Sequence, residues 1–479
     1  MTKPVIIVGS GLAGLSAAHE ALKAGAKVHM LDRAPKPGGN SIKASSGISA
    51  AGTRFQKAKL GDVASDDSAK FYGDSVRSAG TRLHTQAGAL GEGERKELIE
   101  LMTSHSADAV TWLADEIGVD LSLVTQLGGH SVARTHRPAS GPPPGAAIVG
   151  ALLKKLGADP GFTLASSANV EAFTRSEDGK VDGVRYTLDG QTHELHGPVV
   201  FAVGGFAGDA HGLLAKHRPD LAGMPSTNDD RPASHGLLAD VGAEFVDMNS
   251  VQIHPTGFVD PKDPTATYKF LAAEALRGEG GIMLDGEGKR FVNEMERRDV
   301  VSEAIMALPR SNAEGVRQWE VTLLLDPGAS EAAASHLGFY TFKGLMQKKK
   351  VKDLPPKVIE AVDRYAAAVA KGEDEEFGRK SFAHWRLPPG EENREEEVCV
   401  GVVTPVTHFT MGGVAFNTKA QVLGRKEGGD LKPIEGVWAA GESTGGIHGD
   451  NRLGGSSLLE CAIFGRIAGG EAAKSVLGE

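Results

Sequence analysis

Cysteine is almost missing from this chain: 479 residues hold two, Cys399 and Cys461, with no paired spacing. That excludes a disulfide framework, a Cys-ligated iron–sulfur cluster and a Cys-x-x-Cys-His haem attachment. Long apolar runs are missing as well, none nearing the ~20 residues of a membrane span, so no membrane partner is expected. Positive charge is in deficit, 52 Lys and Arg against 62 Asp and Glu for a net charge of −10. The deficit argues against nucleic acid or an anionic membrane as main partner, and it still permits an anionic ligand held by local arginines. No metal site is expected. Glycine, by contrast, is abundant at 63 residues, and hydrophobic content is 40%. Such a chain suits close backbone turns around sizeable cores, and its length predicts two or three domains.

The organising stretch is Val5-Ile-Ile-Val-Gly-Ser-Gly-Leu-Ala-Gly. Val5–Val8 has the apolar run of a strand buried on both faces. Gly9, Gly11 and Gly14 then form Gly-x-Gly-x-x-Gly where strand passes into helix. In that context they allow a tight turn, approach of a pyrophosphate, and close packing of the helix on the sheet. Asp32, 18 positions after Gly14, ends the second strand and suits ribose hydroxyls. An acid there favours FAD or NAD over NADP. The motif begins so near Met1 that no leader segment is expected, and the chain is read as cytoplasmic.

Pro37 to Gly52 is almost wholly small or polar residues, and such a segment can lay backbone donors along a flat polar ligand. With the preceding fingerprint, it resembles the flavin-binding stretch of the soluble FAD-dependent fumarate reductase family, relatives of the succinate dehydrogenase flavoprotein subunits. Relatives bound to membranes carry a histidine here that bonds covalently to the flavin. No histidine lies between Asp32 and His84, so the resemblance implies non-covalent FAD. It also implies flavin contacts from Gly39, Asn40, Ser41, Ser46, Gly47, Val170, Gly204, Glu442, Ser457 and Leu458.

Further along, helices are expected over 66–80, 94–117 and 145–156, and short strands from 170 to 202 look like a small antiparallel insert. The basic group His130, Arg134, His136 and Arg137 suits either the FAD pyrophosphate, the substrate mouth or a solvated loop. His235 stands where family members commonly carry an acid. From about residue 250 charge rises and glycines thin out, up to 408. The expected division is therefore a Rossmann-like α/β FAD-binding domain, 1–249 and 409–479, with an inserted α+β clamp domain, 250–408. A strand at 436–442 and a closing helix at 457–477 return to the first domain.

Three stretches resemble the substrate site of fumarate reductases: Gln252-Ile-His-Pro-Thr-Gly; Ala272 to Gly281 with Gly288 to Asp299; and Thr407 to Gly413 with Gly449 to Gly455. Fumarate is a planar dianion, so cationic and hydrogen-bonding groups are needed at both ends. The resemblance places His408 and Arg452 on one carboxylate, and His254 with Thr256 at the other. It makes Arg298 the proton donor and Glu274 and Arg277 its relay; the last two are three apart, hence on one face of a helix. Ala273 stands where relatives often have threonine. The implied reaction is fumarate to succinate, with reduced free flavin or a partner reductase as electron donor. Within the same architecture, reduction or dehydrogenation of urocanate or a ketosteroid, or L-aspartate oxidase activity, stays open. A non-catalytic flavin carrier would leave Arg298 and its relay without purpose.

Overall fold

In the computed structural model, which describes residues 3–61, 66–84, 90–311, 313–425 and 429–478, β1 (Val5–Val8) lies at the centre of a six-stranded sheet. It pairs in parallel with β2 (Val28–Asp32) on one side and strand Val199–Phe201 on the other. Val28–Asp32 continues in parallel to Phe162–Ser166, and Val199–Phe201 to Leu431–Ala439. The antiparallel strand Gln421–Arg425 covers one edge. Every residue of β1 is buried, which is why its sequence is unbroken apolar rather than alternating.

The helix α1 (Leu12–Lys23) follows β1 after three residues, and the junction needs glycine at 9 and 14. Gly9 has φ +103°, and a Cβ there would fall 2.3 Å from the Ala202 carbonyl oxygen of the neighbouring strand's end. A Cβ on Gly14 would fall 2.0 Å from the Gly9 carbonyl oxygen, so the turn and the helix fit only as glycines. On its other face α1 packs on the long closing helix Ser456–Leu477. There the contact is backbone on backbone, since Cβ atoms at Gly465 and Gly469 would meet the carbonyls of Ala13 and Ala17 at 2.4 and 2.1 Å.

The strands Asn169–Arg175, Val181–Leu188 and Gln191–His196 make the expected antiparallel insert. The second sheet holds Val251–Phe258, Glu397–Thr410, Val321–Leu325 and Ile282–Leu284, with the exposed lysine-rich strand Gln347–Lys350 along Glu397–Thr410. Its opening and closing strands pair antiparallel, Val251 beside Thr410 and His254 beside Val406. The segment 250–408 therefore leaves and re-enters the chain at one place. Among the described residues, no helix is long and apolar enough to cross a membrane.

One expected element is different. The helix foreseen over 94–117 is bent at His105 into Glu92–Ser104 and Ser106–Thr111, followed by a wide turn to Glu116. Thr103, Ser104 and His105 all turn their side chains back to carbonyls of Ile99, Glu100 and Leu101. Such local acceptors compete with the regular ladder.

Gly14→Ala is expected to disturb this turn by overpacking, costing roughly 1–3 kcal/mol. The expected outcome is a lower melting temperature and loss of bound FAD in purified protein, measured by thermal unfolding and by absorbance of the flavin.

Candidate active site

Between the two sheets lies a cavity of about 410 Å³. At one end the N-terminus of α1 opens onto it, with Gly11 as N-cap, no side-chain cap and no acid in the first turn. Uncapped N–H groups at a helix start are a ready anion site. The Leu12 N–H already donates to Ser41 Oγ at 3.0 Å, bringing the segment after Asp32 over the helix end. Asp32 reaches the lining with its carboxylate fixed: Oδ2 accepts from the Ser10 N–H at 2.8 Å and the Ser10 hydroxyl, and Oδ1 from the Ala34 N–H at 2.8 Å.

Gly9, Gly11, Gly39, Asn40, Ser41, Ser46 and Gly47 all lie on this wall. Val170, Gly204, Glu442, Ser457 and Leu458 join them from distant parts of the chain. Gly14 is not on the lining; its place is the packing contact with Gly9. The uncapped helix start, the glycine wall and the buried acid at the end of β2 fit a dinucleotide such as FAD.

At the other end stand Arg298, His408 and Arg452. Arg298 starts helix Arg298–Met306, and its Nε and Nη2 donate to Glu274 Oε2 at 2.7 and 2.5 Å. Its Nη1 donates to Gln252 Oε1 at 2.8 Å, and Arg452 Nη2 donates to the same oxygen at 3.0 Å. Gln252 Nε2 returns a bond to the Arg452 carbonyl at 2.7 Å. The Arg452 guanidinium lies 4.2 Å from the centre of the Phe409 ring, and its Nε is buried without a partner. Burial, the first cause, and the nearby Arg298 charge lower the Arg452 pKa to about 9.

Four expected site residues stand behind this wall rather than on it: His254, Thr256, Glu274 and Arg277. Thr256 spends its hydroxyl on the Ala272 carbonyl at 3.0 Å, and its N–H donates to His254 Nδ1 at 3.2 Å. The His254 ring meets His408 edge-on at 5.2 Å, and its Nε2 has no partner. Burial drives the pKa of both histidines well below the usual value, helped by the neighbouring arginines, so both rings are neutral. For Glu274 burial opposes ionisation, yet Arg298 and Arg277 outweigh it and hold the carboxyl below its usual range. Arg277 Nη2 is 3.9 Å from Glu274 Oε1, and burial lowers the Arg277 pKa to about 10. Arg298, Glu274 and Arg277 thus form one buried file.

The basic group at 130–137 is neither solvated nor on the cavity wall. Arg134 is bound by Asp66 at 2.8 Å and Asp74 at 2.7 Å, and Arg137 by Glu279 at 2.6 Å. His130 Nε2 donates to the Gly454 carbonyl at 2.9 Å, and His136 Nε2 pairs with the Thr53 hydroxyl at 2.7 Å. His235 is buried between the Phe206 and Phe245 rings and does not reach the cavity. Sequence reasoning missed Thr227, Asn228, His336 and Tyr340 on the lining, and Gln252 as the bridge. Only Gln252 had a local signal, as the first residue of a motif already singled out. Tyr340 occupies the neighbourhood of Ala273: its Oη accepts from the Ala273 N–H at 3.1 Å and donates to the Leu271 carbonyl at 2.9 Å.

A family model described as an FAD binding domain matches residues 4–458. The chain is 40% identical to a fumarate reductase of Schizosaccharomyces pombe, over 98% of this chain and 90% of that one. It is 39% identical to fumarate reductase 1 of Saccharomyces cerevisiae, over 97% of each. In three dimensions it matches the open conformation of a flavocytochrome c3 fumarate reductase at a TM-score of 0.73, with 30% identity over 99% of this chain and 79% of the other. Similar along nearly its whole length to proteins of one kind, the chain belongs to the FAD-dependent fumarate reductase family.

Proposed function

We propose that the chain reduces fumarate to succinate, and that segment 250–408 serves as the clamp over the substrate. The carrying observation is the cationic end of the cavity, where Arg298, Arg452 and a neutral His408 face the space that the FAD cradle opens onto. Two guanidiniums suit a small dicarboxylate better than a steroid or an imidazole acid. Bound FAD supplies the reducing equivalents, as hydride to one alkene carbon.

In this reading Arg452 and His408 hold one carboxylate. His254 supports His408 from behind, and Thr256 fixes the backbone ahead of Glu274 through the Ala272 carbonyl. Arg298 gives the proton to the second alkene carbon. A guanidinium is a very weak acid, but a carbanion beside a carboxylate is far more basic. The guanidinium also stabilises the charge as it develops. Once Arg298 has given up its proton, Arg277 passes one to the ionised Glu274 carboxylate, which hands it on to Arg298 through Oε2, and Arg277 recovers its own from solvent.

The electron donor in this proposal is reduced free flavin or a partner reductase. Ile42, Tyr268 and Phe339 support it, since all three line the cavity yet remain exposed, leaving an apolar rim open to a donor. The proposal includes a cytoplasmic location, in keeping with two buried free cysteines.

Glu442 faces the same cavity, and its Oε1 accepts from the Thr410 N–H at 2.9 Å. Burial raises its pKa to about 7, so the folded state holds a proton that the unfolded chain releases near pH ~4.3. The folded state binds the extra proton between those values, and stability must fall as pH rises through that window.

Three outcomes are expected. Anaerobic, dithionite-reduced holoprotein should be reoxidised rapidly by fumarate and not by urocanate or an unsaturated ketosteroid; indifference to fumarate would end the proposal. Arg298→Ala should keep FAD yet lose at least ~10²-fold in turnover, the low end for a general acid. Because Glu274 is then left buried with only Arg277 and the Gly128 N–H beside it, the melting temperature must be recorded beside the rate. In FAD-free protein, Glu442→Gln should remove part of the stability loss between pH 5 and 7.5, by about 3 kcal/mol at most. Denaturant titrations of both proteins at the two pH values measure it.

A further inference from the structure

We propose that Thr227 fixes the tautomer of His408, and so turns a neutral ring into a hydrogen-bond donor for a substrate carboxylate. The inference rests on the reading of His408 as part of the anion clamp. Both residues lie on the cavity wall, and Thr227 Oγ1 is 2.8 Å from His408 Nδ1. Among the described residues this is the one side-chain hydrogen bond that either forms. It leaves Nε2 as the nitrogen free to meet a ligand.

Burial, then the positive charges of Arg298 and Arg452, keep this imidazole uncharged, so it carries a single N–H. The two placements of that hydrogen have opposite consequences. With hydrogen on Nδ1, the ring donates to Thr227 and presents the Nε2 lone pair to the ligand, which repels a carboxylate. With hydrogen on Nε2, the Thr227 hydroxyl donates to Nδ1 and the ring offers an N–H to the ligand. Only the second arrangement adds to the clamp. The hydroxyl is free to donate because no other acceptor holds it.

The segment carrying Thr227 is clasped to the strand of His408 at several points. The Thr227 N–H donates to the Thr407 carbonyl at 3.1 Å, and the Thr407 N–H to Pro225 at 2.9 Å. Asn228 Nδ2 donates to the His408 carbonyl at 3.0 Å, and Asn228 Oδ1 accepts from Asn40 Nδ2 in the glycine-rich segment at 2.5 Å. Thr227 therefore cannot drift from the ring without breaking contacts on both sides. Held this firmly, the hydroxyl stays at Nδ1 and leaves Nε2 facing the ligand, where a carboxylate favours the tautomer with hydrogen on Nε2.

The test compares wild type, Thr227→Val and Thr227→Ser as oxidised, FAD-loaded proteins, with and without succinate. Nitrogen-15 histidine spectra, with His408 assigned by its Gln variant, read the tautomer directly. Wild type and Thr227→Ser should show hydrogen on Nε2, whereas Thr227→Val should lose that preference. The KM for fumarate should rise roughly tenfold in Thr227→Val and recover in Thr227→Ser. Turnover at saturation should change less than about threefold, and FAD content and melting temperature should hold. A wild-type ring protonated on Nδ1 would overturn the proposal. So would Thr227→Val with unchanged spectra and KM. A wild-type protein that ignores fumarate would remove the clamp reading, while the nitrogen shifts would still decide the tautomer.

Discussion

Two guanidinium groups share one amide oxygen. Arg298 and Arg452 both donate to Gln252 Oε1, and each is almost wholly removed from water. Like charges so placed repel strongly in a poorly screening interior. Glu274 is shared between Arg298 and Arg277, and Glu442 is pushed towards its neutral form, so the end of the cavity keeps surplus positive charge. The surplus is the reason an anion fits. It adds to the burial that drives the neighbouring histidines neutral, and a neutral ring carries a single N–H.

The cofactor half of the fold was legible because its physics is local. Phosphate binding at a helix start needs glycine at fixed steps after a buried strand, and Gly9, Gly11 and Gly14 announce it within ten residues. The substrate half was legible as a set of residues and not as an arrangement. Nothing within 251–258 says that Thr256 points at the Ala272 carbonyl while Gln252 reaches two arginines; that follows from residues 271–272 running beside Thr256 and Gly257, and from Arg298 and Arg452 arriving from distant parts of the chain. The group at 130–137 was opaque for a similar reason. Its neutralising acids lie at 66, 74 and 279, and charge patterning along the chain does not see partners so remote. The bend at His105 depended on three adjacent side chains turning back together, which a hydrophobic period does not register.

The wall contributed by helix Ala334–Lys343 had no motif at all. His336 and Tyr340 recur four apart, as core residues on any amphipathic helix do. In place, His336 Nε2 donates to the Ser45 carbonyl at 2.7 Å, so the second sheet's side of the molecule grips the glycine-rich segment directly. Tyr340 ties down residues 271 and 273 just ahead of Glu274. The cofactor seat and the buried file of Arg298, Glu274 and Arg277 are therefore braced by one short helix.

The packing of the closing helix on α1 bears on how the protein comes into being. The glycine turn is complete by Gly14, but its outer brace at Gly465 and Gly469 and its wall at Ser457 and Leu458 come more than four hundred residues later. The strand beside Val199–Phe201 is likewise Leu431–Ala439. A chain emerging from the ribosome thus carries the beginning of its cofactor seat for more than four hundred residues before the other side arrives. During that interval the face of α1 that meets helix Ser456–Leu477 stays uncovered, and flavin cannot be enclosed until that helix has been made.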